Sequence, residues 1–212
     1  IPETLRVNRA AERDLEKRVA RWLPKSSWLA LCGSLPPGCS PQLYRRLTKM
    51  AHAHKVPVLI DSRGPALLRA LPARPQCVKV NLEELAKTYG IEVRAEAGLG
   101  ISLSHLDPGM NELFVCTMGS HGTVAVAAGA NGKWFILPPK VEMRSSAGSG
   151  DVFTAALLVW RKRGADWPEA LRWATAAGAA KACEARTDFL DLKRMRALYP
   201  RVKVKSLGRE TS

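Results

Sequence analysis

The feature that most constrains this sequence is an alternation of short apolar runs with stretches of helical spacing. Trp28 to Cys32 is apolar and ends at Gly33. Val56 to Ile60 is apolar and ends at Asp61. Cys77 to Val80 and Leu113 to Thr117 are two more such runs. Between them, residues 9–22 place Leu15, Val19 and Trp22 on one stripe. Residues 41–54 read as a helix with Pro41 at its first position, where a missing N–H costs nothing. A further helix is predicted from Asn81 to Tyr89. Strands that are apolar throughout, rather than alternating, are buried on both faces. The pattern therefore predicts an α/β fold, a mostly parallel sheet covered by helices on both faces.

The second half changes character. Thr123 to Ala127 and Lys133 to Leu137 flank Ala130-Asn131-Gly132, and an Asn-Gly pair between apolar runs signals a late β-hairpin. After Pro138-Pro139 comes Ser145-Ser146-Ala147-Gly148-Ser149-Gly150-Asp151, which opens an apolar helix over roughly 151–163. Residues 167–184 and 188–198 predict two more helices. No repeat or low-complexity linker interrupts the chain. Its 212 residues fit one domain over 1–200 followed by a loose basic tail over 201–212.

Charge and cysteine usage narrow the function classes. The net charge is +14, but the basic residues are dispersed. The densest stretch, Lys193 to Arg209, lacks interleaved aromatics and reads as a solvated helix and tail, so no nucleic-acid partner is expected. No apolar run approaches the ~18 residues of a membrane span, and no positively charged start followed by an apolar stretch marks a secretory signal. The chain begins at Ile1 rather than Met, which points to a fragment or a processed form. The five cysteines are widely spaced with no C-x-x-C, which argues against zinc and for a reducing, cytoplasmic setting. Cys32, Cys77 and Cys116 fall in strand-like runs and are expected to be buried.

The loop Gly148-Ser149-Gly150-Asp151 carries the most chemistry. Small residues let a ligand approach the backbone, and the following helix presents unpaired N–H groups and a positive dipole end. That combination suits a phosphate. The loop is neither a Walker A motif nor a dinucleotide fingerprint. Taken alone, Asp151 could be only a helix cap. Gly33-Ser34-Leu35-Pro36-Pro37-Gly38 follows the first strand, at the end of a sheet where ligands of α/β proteins bind. Asn81 and Glu84, three apart at a helix start, could hold water on Mg²⁺ or could form a capping box. Thr117-Met118-Gly119-Ser120-His121-Gly122 follows the fourth strand and suits either a nucleotide-facing turn or a plain hairpin turn.

Four such loops in this order resemble those of the ribokinase-like, phosphofructokinase-B type carbohydrate kinases, in particular the 1-phosphofructokinase and tagatose-6-phosphate kinase group. Val58-Leu-Ile-Asp-Ser-Arg-Gly64 resembles that family's strand ending in Asp-x-x-Gly, and Lys79-Val-Asn81 resembles its Lys-Pro-Asn. Ala176-Ala-Gly-Ala-Ala180 resembles the helix against its nucleotide site. The resemblance extends from about Trp28 to Tyr199. The family's N-terminal portion, with its sugar-contacting Asp, Gly-Gly motif and lid strands, has no counterpart here.

The resemblance implies an ATP-dependent phosphoryl transfer to a hydroxyl of a sugar phosphate of the fructose 1-phosphate, fructose 6-phosphate or tagatose 6-phosphate class. Asp151 is then the catalytic base, with Gly148, Ser149 and Gly150 as the anion hole. Lys79, Asn81, Thr117, Gly119 and Gly122 contact ATP, Asn81 and Glu84 act on Mg²⁺, and Ser34 lies on the sugar side. A homodimer is implied for the full-length form. The alternatives are a ribose or nucleoside kinase of the same family and a non-catalytic nucleotide-binding module.

Overall fold

The structure, a computed structural model, describes residues 6–90, 111–128, 132–186 and 188–207. Seven strands form one sheet in sequence order: β1 (Leu29–Cys32), β2 (Val58–Asp61), β3 (Cys77–Asn81), β4 (Leu113–Thr117), β5 (Thr123–Ala127), β6 (Lys133–Leu137) and β7 (Lys203–Ser206). Pairings from β1 to β4 are parallel, and those from β4 to β7 are antiparallel. Five strands therefore point one way, with β5 and β7 reversed, so the sheet is mixed. Sequential order is the simplest outcome of right-handed crossovers that each carry a helix.

Helices cover both faces as the apolar strands require. One face carries α2 (Leu43–Ala53), α3 (Gly64–Ala70) and α4 (Leu82–Tyr89), whose Leu47, Leu67 and Leu85 pack on Val58, Ile60, Val78 and Val80. The opposite face carries α5 (Ser149–Lys162), α6 (Trp167–Ala182) and α7 (Leu192–Leu198), packed on Leu59, Cys77, Leu113 and Val115. Adjacent strand residues thus serve opposite cores, which follows from the two-residue side-chain period. Each fully buried Leu or Ile stabilises the fold by roughly 1.5–3 kcal/mol. The first helix, α1 (Arg9–Trp22), is capped by Asn8 and tied to α2 by Arg46, which pairs with Glu16 at 2.6 Å. No helix among the described residues is long and apolar enough to cross a membrane.

Several expectations change. Pro41 lies before the helix rather than at its first position, because α2 starts at Leu43 with Gln42 at the N-cap. The seven-residue α3 was not foreseen; its Gly64-Pro65 start reads locally as a turn. Residues 203–206 are an edge strand, not part of a loose tail. Their alternating lysines add exposed charge to that sheet edge and oppose pairing with other chains. Cys77 and Cys116 are buried, but Cys32 is exposed, because it ends β1 at the sheet edge. The hairpin pairs β5 with β6 as expected, while its Ala130 and Asn131, and residues 208–212 of the tail, lie outside the described residues.

Candidate active site

The parallel strands bring their carboxyl ends to one edge. Cys32 pairs in register with Asp61, Asp61 with Lys79, and Asn81 with Thr117. The Gly33 turn is fixed there by its own N–H donating to the Asp61 carbonyl at 2.8 Å. Its carbonyl accepts from the Ser62 hydroxyl at 2.8 Å and from the Tyr44 hydroxyl at 3.0 Å. Ser34, in the following turn, is exposed.

Beneath this edge lies a buried polar network that sequence reasoning missed. The Lys79 ammonium donates to both carboxylate oxygens of Asp61, at 2.8 and 3.0 Å, and the Thr154 hydroxyl of α5 donates to the same carboxylate at 2.8 Å. Lys79 was expected to contact ATP; instead it is 4% exposed and its charge is matched by Asp61, itself 8% exposed. The network nevertheless touches the anion loop, since a Cβ placed on Gly150 would lie 3.2 Å from Lys79 Nζ. The only local signal was charge inside otherwise apolar strands, at Asp61 and Lys79. Burying one such charge alone is costly, so each implies a partner.

The loop itself separates the two readings of Asp151. The N-cap of α5 is Gly148, at φ +75°, with no side-chain cap. Asp151 is exposed in the first turn, and its carboxylate accepts no hydrogen bond among the described residues. It is therefore available for chemistry rather than spent on capping. The amides of the expected anion hole are not equivalent. The Ser149 N–H is already donated to the Ser146 carbonyl at 3.2 Å, while the Gly148, Gly150 and Asp151 amides have no acceptor among the described residues. The α6 helix closes on this loop where Gly178 leaves only 3.4 Å between its Cβ position and the Ser149 carbonyl.

Asn81 and Glu84 form the capping box. Asn81 Oδ1 accepts from the Glu84 N–H at 2.8 Å, and Glu84 Oε2 accepts from the Asn81 N–H at 2.9 Å. No cluster of three or more potential ligands stands ready for a metal among the described residues. Gly119 and Gly122 also differ from each other. Gly119 adopts φ +57° with open space about it, whereas a Cβ on Gly122 would meet the Ile136 carbonyl at 2.8 Å. Strand packing, rather than a ligand, demands glycine at 122. Thr117 is partly buried at the end of β4 and makes only a 3.5 Å contact to the Val80 carbonyl.

A model of the pfkB family of carbohydrate kinases matches residues 3–193. The chain belongs to that family. Among curated relatives, 1-phosphofructokinase of Rhodobacter capsulatus is 34% identical over 188 residues, covering 85% of this chain and 56% of the relative. D-tagatose-1-phosphate kinase of Klebsiella oxytoca is 30% identical over 152 residues, 72% of this chain and 49% of the relative. Among solved structures, phosphofructokinase-2 of Escherichia coli in complex with potassium superposes with a TM-score of 0.81 at 25% identity, covering 92% of this chain and 63% of that one. This pfkB chain thus spans about half the length of the curated relatives it matches.

The site has a consequence for thiol chemistry. The Cys32 thiol is raised to about 11, chiefly because it is partly enclosed by protein and then because the Asp61 and Asp151 carboxylates oppose a thiolate; Lys79 acts in the other direction. Although exposed, Cys32 is expected to react with iodoacetamide at pH 8 roughly a hundredfold more slowly than an ordinary thiol, with the rate climbing until pH approaches 11. An ordinary rate at pH 8, measured by mass spectrometry of the Cys32 peptide, would show that neither the enclosure nor the two carboxylates suppress this thiolate.

Proposed function

We propose that this chain is the nucleotide-binding and catalytic portion of an ATP-dependent kinase whose acceptor is a hydroxyl of a phosphorylated ketohexose. The observation that carries the reading is that, among the described residues, the Gly148, Gly150 and Asp151 N–H groups at the start of α5 have no acceptor and the Asp151 carboxylate beside them has no partner. Phosphoryl transfer is driven mainly by positioning and by stabilising charge. The amides of Gly150 and Asp151 face the charge that builds on the transferred group. Asp151 takes the proton of the attacking hydroxyl as the new P–O bond forms and the bond to ADP breaks. Ser34 and the turn after Gly33 lie at the same sheet edge, on the sugar side. The named substrates of the pfkB relatives, 1-phosphofructokinase and D-tagatose-1-phosphate kinase, support a sugar phosphate as acceptor.

Mg²⁺ fits the same edge in one manner. With Asn81 Oδ1 and Glu84 Oε2 committed to the capping box, Glu84 Oε1 is the oxygen left for a metal. A hydrated ion held through its waters and the nucleotide phosphates suits a single carboxylate, since Mg²⁺ keeps several waters. When bound, the ion supplies charge neutralisation on the phosphates.

Titration calorimetry tests the reading. MgATP is expected to bind this chain measurably, and fructose phosphates to bind weakly without nucleotide. Binding of a fructose phosphate with no detectable MgATP binding would overturn the allocation.

A further inference from the structure

Helix α5 is apolar on two faces, and the sheet uses one of them. Phe153 and Leu157 are buried in the core against the sheet. Val152, Ala156, Val159 and Arg163 recur at intervals of four, three and four residues, so they form a separate stripe. Val159 is 47% exposed, and Leu192 of α7 is 54% exposed. Both line a groove of about 390 Å³ between α5 and α7, together with the rest of the stripe. That volume is in the range of small-molecule sites.

The groove is rigid and carries one sign of charge. Trp160 and Trp173, which also line it, stack at 4.2 Å with their planes 8° apart, and Glu169 accepts from the Trp173 indole N–H at 2.9 Å. Among the described residues no acidic side chain lines the groove, and its charged groups are Arg163 and Arg196. Neither guanidinium has an ion-pair partner among the described residues. Arg163 is held there by a cation–π contact, its guanidinium lying 5.0 Å from the Trp160 ring centre. Arg196 stands one turn beyond Leu192 on the same face of α7. An apolar trough with two unpaired cations is complementary to an anion that carries an apolar body.

We propose that the groove between α5 and α7 is a binding site for an amphiphilic carboxylate, an acyl chain ending in a carboxylate group. The chain covers Val152, Ala156, Val159 and Leu192, and removing their apolar surface from water supplies the affinity. The carboxylate meets Arg163 and Arg196, whose planar guanidinium groups match it with paired N–H donors. The stripe from Val152 to Arg163 runs about 16 Å along α5 at 1.5 Å per residue. A groove this small takes an acyl chain, whereas a docking helix, ~10–12 Å across with its side chains, would rest only on its rim. Val152 follows Asp151 in the chain but points about 100° away round the helix. The site is therefore separate from the 148–151 loop and does not depend on the kinase reading.

The test titrates the chain with decanoate, kept below its micelle-forming concentration, and with decanol, which has the same chain and no charge. Calorimetry reads affinity, and near-UV circular dichroism reads the stacked Trp160–Trp173 pair. Decanoate is expected to bind saturably and to change the tryptophan signal in step. Decanol is expected to bind about tenfold or more weakly, the weight of a charge-assisted hydrogen bond. The double variant Arg163→Gln with Arg196→Gln is expected to bind decanoate no more tightly than decanol, with its decanol affinity unchanged. Val159→Glu, at an exposed position where the fold tolerates a polar side chain, is expected to lose decanoate binding by repulsion. Saturating MgATP is expected to leave decanoate affinity unchanged. The proposal is overturned by no saturable decanoate binding, by binding that leaves the tryptophan signal still, or by equal affinity for decanoate and decanol. Undiminished decanoate binding in either variant overturns it as well. Competition with MgATP would assign the ligand to the nucleotide site and overturn it too, whereas a failure of MgATP to bind sinks the kinase reading alone.

Discussion

Asp151→Asn in the catalytically competent full-length protein is expected to lower kcat by ~10²–10⁴-fold, the usual weight of a general base, with nucleotide affinity nearly unchanged. The substitution is almost isosteric. The cap of α5 is Gly148, and the Asp151 carboxylate holds no hydrogen bond among the described residues, so nothing structural depends on its acceptors. What is lost is the proton acceptor and one negative charge at a helix start, and the latter contributes only about 0.3–1 kcal/mol to stability. Thermal unfolding should therefore shift little while turnover collapses. A steady-state assay returning near-normal kcat would remove Asp151 from the chemistry.

The second large effect concerns stability. Lys79→Met leaves the Asp61 carboxylate buried without its countercharge, with the Thr154 hydroxyl as its one remaining side-chain donor among the described residues. Breaking a buried pair from one side typically costs ~3–5 kcal/mol. That is a large share of the ~5–15 kcal/mol that holds a domain folded. The urea midpoint should fall accordingly. The double variant Asp61→Asn with Lys79→Met should recover much of the loss, because no unpaired charge then remains and the two sites are directly coupled. A Lys79→Met protein with a wild-type midpoint would show that the pair contributes little to stability. Equal midpoints in the single and double variants would show that the lost stability does not come from the stranded carboxylate.

Both effects arise at the same few ångströms, but only one of them was legible in the sequence. Asp151 announces itself because the chemistry is local: Gly-Ser-Gly followed by an apolar helix can be read from eight consecutive residues. The same locality made the four parallel-strand runs, the hairpin and the two-sided burial readable, since side-chain period and turn chemistry are properties of neighbouring residues. The Asn81–Glu84 pair shows the limit. Its spacing suited two chemistries, and the capping box emerged only from the geometry of both hydrogen bonds.

By itself, the sequence determined an α/β sheet with a phosphate-suited loop at the start of a long helix. Tertiary structure alone decided which charges meet. Asp61 and Thr154 are 93 positions apart, and their contact depends on how α5 crosses β2. Asp61 reaches Lys79 because β2 and β3 pair in a parallel register that sets the two side by side. Cys32 is exposed where β1 ends at the edge of the sheet formed by the described residues, a fact of strand order rather than of composition. Lys181 is buried by the packing of α6, which its alanine-rich local sequence does not reveal. Periodicity fixes which face of an element is apolar, but the partner across that face belongs to the register and packing of distant segments, where desolvation makes an unmatched charge costly and a matched one tolerable.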